Sequence, residues 1–237
     1  MPTIRLENVS KRYRGRSRED AISNMNLTIA QGEFIFLVGS RGAGKSTLLD
    51  VLSGETRPST GTVYLDDEPV RAFSLTQRAR LRGLVGRVHQ ESRIVRSQTV
   101  ERFLAPKTPW ERLSERFEGE PLTRKALGLV GMAGSEKRRL SELSNADCHR
   151  VELAKAIRNS PAILILDEIT DRMDDDTIWD LLHLLSELNA HGTTVLMVTN
   201  AGRYINIMRK RVITIADGRV VRDVRNGRYD MFGQRRN

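Results

Sequence analysis

A chain of 237 residues with 39% apolar and 29% charged side chains carries enough hydrophobic material for one large α/β domain and is too apolar for a disordered chain. No apolar run approaches the roughly 20 residues of a membrane-spanning helix, and the start alternates polar and apolar residues without the core of a secretory signal, so the cytosol is the expected place. The single cysteine, Cys148, excludes an internal disulfide, the four histidines lack metal-ligand spacing, and the formal charge of +9 gathers in residues 203–237, where ten Arg or Lys face three Asp.

In chain order, residues 4–10 and 25–29 have the pattern of short strands of a peripheral antiparallel sheet, separated by a basic turn at 12–18. Residues 33–38, Glu-Phe-Ile-Phe-Leu-Val, read as a strand covered on both faces of a parallel sheet. It runs into a glycine-rich turn, a helix over 46–53 closed by Gly54, and a short strand over 62–65. Residues 75–159 are rich in Arg, Glu and Leu at helical spacing, broken at Pro106, Pro109 and Pro121, and are expected to form a helical lobe. Buried strands at 162–166 and 193–198 flank a helix at 177–189, and Asp217-Gly218 is a two-residue hairpin signal between strands at 212–216 and 219–224. The alternation specifies a doubly wound α/β core. One domain over 1–237 is expected, with the lobe (about 91–159) inserted and a basic hairpin and tail at about 203–237. That tail could attract nucleic acid or an anionic membrane surface.

The turn after the first buried strand carries the chemistry. Gly39, Ser40, Arg41, Gly42, Ala43, Gly44, Lys45, Ser46 and Thr47 match G-x-x-x-x-G-K-[ST] between a strand and a helix, the context that marks a polyphosphate loop. Its glycines let backbone N–H groups wrap phosphate oxygens, Lys45 can reach the β and γ phosphates, and the Ser46 hydroxyl can ligate Mg²⁺. Asp167-Glu168 ends another core strand and faces the same crevice. Alone, such a pair is more often a helix cap. Beside a phosphate loop it reads as a Mg²⁺ carboxylate, Asp167, and a base for the attacking water, Glu168.

These motifs and others, in order across essentially the whole chain, resemble the ABC ATPases. The resemblance implies a P-loop nucleotide-binding domain with a mostly parallel core sheet, an antiparallel sheet and a helical lobe, binding ATP and Mg²⁺. It implies that Tyr13 stacks on adenine, that Gln90 in Val88-His-Gln-Glu91 touches the Mg²⁺ site and faces a membrane partner, and that Leu143-Ser-Asn-Ala-Asp-Cys-His-Arg150, with Ser144, is the signature that meets nucleotide on a second copy. Asp174 takes the place of the D-loop aspartate. Within the family the likeness runs to the FtsE-like branch, carried by Gly32-Glu-Phe-Ile-Phe-Leu-Val38, Gly192-Thr-Thr-Val-Leu-Met197, and Met208-Arg-Lys-Arg-Val212 with Asp217-Gly-Arg-Val-Val-Arg-Asp223. That branch implies a homodimer on an FtsX-like integral membrane protein, acting in cell division on cell-wall hydrolases. An importer or exporter subunit for a solute or lipoprotein shares every nucleotide motif, and a nucleotide-responsive module with little hydrolysis is a further reading. A nucleic-acid partner is the least favoured, because the long coiled-coil arms of DNA-associated relatives are absent.

Four positions depart from the family pattern: Asn145-Ala146 stand where two glycines are usual, Asn200 where a γ-phosphate histidine is usual, and Ile169 where proline is usual. Asn145 tolerates unusual dihedrals but adds bulk, and an amide at Asn200 donates a hydrogen bond without a charge. Hydrolysis assisted by Glu168, Gln90 and Asn200 is therefore expected to be slow.

Overall fold

Ile4–Lys11 (β1) and Ile22–Ile29 (β2) bury alternate side chains, whereas the unbroken apolar run Phe34–Val38 (β3) is buried at every position, as strands with one and two covered faces must be. The protein is seen in a computed structural model that describes residues 3–13, 20–70, 83–91, 94–105 and 122–229. Helix Lys45–Leu52 (α1) follows β3, and Thr60–Leu65 (β4) and Glu68–Pro69 (β5) complete an antiparallel sheet of order β2-β1-β4-β5. The strands Val85–Val88 (β6), Ile163–Asp167 (β7), Thr194–Val198 (β8), Arg211–Ala216 (β9) and Arg219–Val224 (β10) join β3 in a second sheet of order β10-β9-β3-β8-β7-β6. Its β9-β3-β8-β7-β6 ladder is parallel, and β10 pairs antiparallel with β9.

The pleat of β3 divides the core in two. Phe34, Phe36 and Val38 pack with Leu164, Leu166 and Met197 beneath the helices Asn145–Ile157 and Asp175–Ala190. Ile35 and Leu37 face the other way, onto Leu48, Leu49 and Leu52 of α1 and the inner side of the antiparallel sheet. The helices therefore lie on both faces, and the carboxyl ends of β3 and β7 open at one edge, where doubly wound sheets place their ligands.

One element differs from the sequence reading. Val85–Val88 falls within the stretch read as helical, yet it is the edge strand of the parallel sheet, with Val88 opposite Leu166. Gly86 makes this possible, because a Cβ there would stand 2.2 Å from the carbonyl oxygen of Ala156. Strand β6 and the helix Asn145–Ile157 thus touch backbone to backbone. Residues 106–121, with all three prolines of the expected lobe, lie outside the described residues, as do 14–19 of the basic turn and 230–237 of the tail. Among the described residues the lobe region holds the helices Val100–Leu104, Leu122–Leu129 and Asn145–Ile157, and no helix is long and apolar enough to cross a membrane.

The hairpin at Asp217-Gly218 has left-handed backbone at both residues, φ 47° and 71°, the conformation a tight two-residue turn demands. It does more than reverse the chain. Gly218 N–H donates to the carbonyl of Ala43 at 3.0 Å and its own carbonyl accepts from Ser23 N–H at 2.8 Å, so the turn holds the phosphate loop from behind.

Candidate nucleotide site

The loop between β3 and α1 is built on backbone that only glycine accepts cheaply. Gly44, directly before α1, has φ 101°, and a Cβ there would sit 2.4 Å from the carbonyl oxygen of Ala21. Gly44→Ala combines a left-handed strain of about 1–2 kcal/mol with overpacking of about 1–3 kcal/mol. The expected result is a thermal midpoint lowered by at least about 4 °C, since 1 kcal/mol is worth about 2–4 °C at this chain length. Differential scanning fluorimetry checks it; an unchanged midpoint would show that the Ala21 carbonyl does not brace the loop.

Lys45 is buried, and its Nζ donates to the carbonyls of Gly39 at 2.7 Å and Ser40 at 3.0 Å. The same ammonium stands 3.1 Å from Oε1 of Glu168, whose Oε2 accepts from Nε2 of Gln90 at 2.7 Å. Glu168 itself is left-handed, φ 49° and ψ 35°, and its N–H donates to Val198 O at 3.2 Å. For a non-glycine residue that conformation costs about 1–2 kcal/mol, and the bend turns the chain out of β7 just as its carboxylate meets Lys45 and Gln90. Strained backbone of this kind gathers at functional positions.

Asp167 is 3% exposed, and burial pushes its carboxyl above the usual carboxylate range, opposed by the Ser46 hydroxyl and the Arg87 guanidinium. Ser46 Oγ donates to its Oδ1 at 3.5 Å, and Nη2 of Arg87 lies 3.6 Å from its Oδ2. One carboxylate and one hydroxyl converging on a phosphate loop suit Mg²⁺, a hard ion that takes few protein oxygens and completes its shell with water and phosphate. Gln90 reaches this corner through Glu168.

The remaining expected residues are dispersed. Tyr13 lies beyond the end of β1 with the Lys11 ammonium 5.1 Å from its ring centre. Ser144 caps the helix Asn145–Ile157, its Oγ accepting from Asp147 N–H at 3.1 Å. Among the described residues no hydrogen bond or ring contact joins either to the phosphate loop. Asn145 Oδ1 accepts from Arg96 at 2.8 Å. Neither Asn145 nor Ala146 has positive φ; both open a regular helix. These positions take ordinary helical backbone, so side-chain bulk is what distinguishes them from glycine. Asn200 is exposed two residues past β8, its carbonyl accepting from Gly202 N–H at 3.0 Å. Asp174 caps the helix Asp175–Ala190 by accepting from Thr177 N–H at 2.8 Å, which holds its carboxyl below the usual range.

Sequence reasoning missed Arg87, whose only signal is a charge inside an apolar strand. It also missed the buried hydroxyl pair Thr170–Thr199 at 3.2 Å, which ties the segment after Glu168 to the segment before Asn200.

Comparison with known proteins adds to this geometry. The family model described as ABC transporter matches residues 22–171. The chain is 34% identical over 229 residues to the cell division ATP-binding protein FtsE of Mycobacterium tuberculosis, covering 96% of this chain and 98% of the relative. It is 32% identical over 225 residues to the methionine import ATP-binding protein MetN 2 of Rhodococcus jostii, covering 93% of this chain and 65% of that longer protein. Among solved structures, a dimeric post-hydrolysis state of the ATP-binding cassette MJ0796 bound to ADP and Pi superposes with a TM-score of 0.79 at 26% identity, over 94% of this chain and 99% of that one.

Proposed function

The chain belongs to the ABC transporter family of ATP-binding subunits, and from that premise we propose that it binds ATP on the loop Gly39–Thr47 and hydrolyses it with Glu168 as the base for water. The observation that carries this reading is the convergence of Lys45, Gln90 and Glu168 within 3.1 Å steps beside Ser46 and Asp167. Lys45, here bonded to its own loop, is the cation that turns to the β and γ phosphates. Asp167 and Ser46 would hold Mg²⁺, which neutralises phosphate charge. Gln90 orients the Glu168 carboxylate, and Asn200, two residues past β8, supplies an amide donor in place of the usual histidine. Two copies are proposed to sandwich nucleotide between this loop and Ser144, with Tyr13 against the base.

The proposed setting is FtsE-like: a homodimer at the inner face of the cell membrane, held there by an FtsX-like integral protein docked near Gln90. The near full-length match to FtsE relatives supports it, and the match to methionine importers supports a transporter subunit as the second reading. Direct attraction to anionic lipid is a lesser part. In the basic terminal region Arg203 pairs with Asp175, and Arg211 lies 2.6 Å from Glu33 and 2.8 Å from Asp223. Fractionating cells with and without the partner tests the setting. Loss from membranes without it is the expected outcome, whereas persistence there, abolished by neutralising the tail arginines, would favour lipid attraction. Identifying the integral protein that co-purifies separates the two readings.

Turnover is expected to be slow, below about 1 per second, the low end for enzymes. Losing one donor at a developing charge costs about 3 kcal/mol, or roughly a hundredfold, and Asn145, Ala146 and Asn200 all alter that shell. Asn200→His with Asn145→Gly and Ala146→Gly is expected to raise turnover at saturating ATP by at least about tenfold, with affinity little changed. A fast parent, or a triple variant no faster, contradicts this.

A further inference from the structure

Arg87 stands in the middle of β6 with its side chain only 7% exposed. A guanidinium at this depth is worth its desolvation only where its fork is well matched, and a buried ion pair is weak evidence for stability because an apolar isostere is often as good. The fork here is matched on two sides. Nη1 donates to Asp50 Oδ1 at 2.7 Å and to Ser53 Oγ at 3.1 Å, at the far end of α1, and stands 3.3 Å from Glu55. Nη2 faces Asp167 Oδ2 at 3.6 Å, while the other oxygen of that carboxylate faces Ser46. Three residues further along the same chain, Gln90 donates to Glu168.

Resting on the ATPase reading above, we propose that Arg87 is a positioning residue for the metal: it grips Asp167 Oδ2 from behind, so that Oδ1 is presented on the Ser46 side, and it ties that carboxylate to the last turn of α1. Helix α1 carries Ser46 at its first turn and Asp50 further along, so the guanidinium locks both proposed metal oxygens to one rigid unit. It also makes β6 the common support of Asp167, through Arg87, and of Glu168, through Gln90. A displacement of β6 by a partner docked near Gln90 would then reach both carboxylates together. Lysine cannot substitute, because a point charge on a flexible stem cannot span the two sides.

The test uses the full chain with Mn²⁺ as the metal probe, titrated by electron paramagnetic resonance beside a saturating non-hydrolysable ATP analogue. A fluorescent ATP analogue in EDTA reports metal-free nucleotide affinity in parallel. Groups that orient a metal ligand from behind typically govern its affinity by about 10–100-fold. Arg87→Met and Arg87→Lys are both expected to weaken Mn²⁺ binding by about that factor, while metal-free nucleotide affinity stays within about threefold. Asp50→Asn, which removes the shortest anchor and leaves the guanidinium, is expected to weaken Mn²⁺ by at least about threefold, and it decides the matter alone if the Arg87 variants do not fold. Mn²⁺ bound by Arg87→Met as tightly as by the parent, or more tightly because a repelling cation is gone, overturns the proposal. A parallel fall in metal-free nucleotide affinity also overturns it, since that marks a general structural role. A parent that takes up no Mn²⁺ beside nucleotide overturns the ATPase reading itself, whereas a parent that binds it and an unaffected Arg87→Lys overturn this inference alone.

Discussion

Glu168→Gln is expected to stop ATP turnover, with a rate loss of about 10²–10⁴-fold, the usual contribution of a general base, while ATP binding is retained. The amide is isosteric and keeps an oxygen that can accept from Gln90 Nε2, so the contact now at 2.7 Å survives. What disappears is the proton acceptor and the ion pair with Lys45 at 3.1 Å. Releasing that ammonium from a competing carboxylate favours its turn toward phosphate, so affinity for ATP should be equal or higher. With hydrolysis blocked, the nucleotide-bound dimer should accumulate, and light scattering at saturating MgATP should report about twice the monomer mass. Monomers under those conditions, or a variant that still turns over, would remove Glu168 from the proposed role.

Lys45→Ala is expected to weaken MgATP binding by about a hundredfold or more. The ammonium is the loop's one charged side chain that the fold buries, and the rest of the cradle is backbone N–H. A hydrogen bond to a charged group is worth about 1.5–3 kcal/mol, and about 1.4 kcal/mol is tenfold in affinity, so two lost phosphate contacts account for the figure. The substitution also takes the Lys45 ammonium away from the Glu168 carboxylate, which keeps its contact with Gln90, so hydrolysis by any residual complex should fall too. Equilibrium binding of a fluorescent ATP analogue measures it, and unchanged affinity would place the nucleotide elsewhere.

The parts of the site that were legible in the sequence are those whose chemistry is local. A phosphate loop needs its glycines, lysine and serine within nine consecutive positions, and a strand must end where the helix begins; both facts are written in one stretch of chain. Asp167 and Glu168 were legible for the same reason, as acids at the end of an apolar strand. Arg87 was not, because its polar neighbours Asp50, Ser53, Glu55 and Asp167 come from α1, from the turn after it and from β7, and nothing near residue 87 announces them. Nor was β6 legible: four residues with a glycine and an arginine among them carry too little periodicity to stand out from surrounding helical spacing.

By itself, then, the sequence determined the alternation of buried strands and helices, the phosphate loop, the paired carboxylates and the Asp217-Gly218 turn, because hydrophobic period and backbone-restricted residues act over a few positions. Tertiary structure alone decided that this turn would bond to Ala43 and brace the phosphate loop, that Glu168 would bend left-handed onto Lys45 and Gln90, and that one buried guanidinium would join α1 to Asp167. Each of these depends on which strands lie side by side, and that order, β10-β9-β3-β8-β7-β6, is set by packing among residues more than a hundred positions apart in the chain, such as Phe36 and Met197.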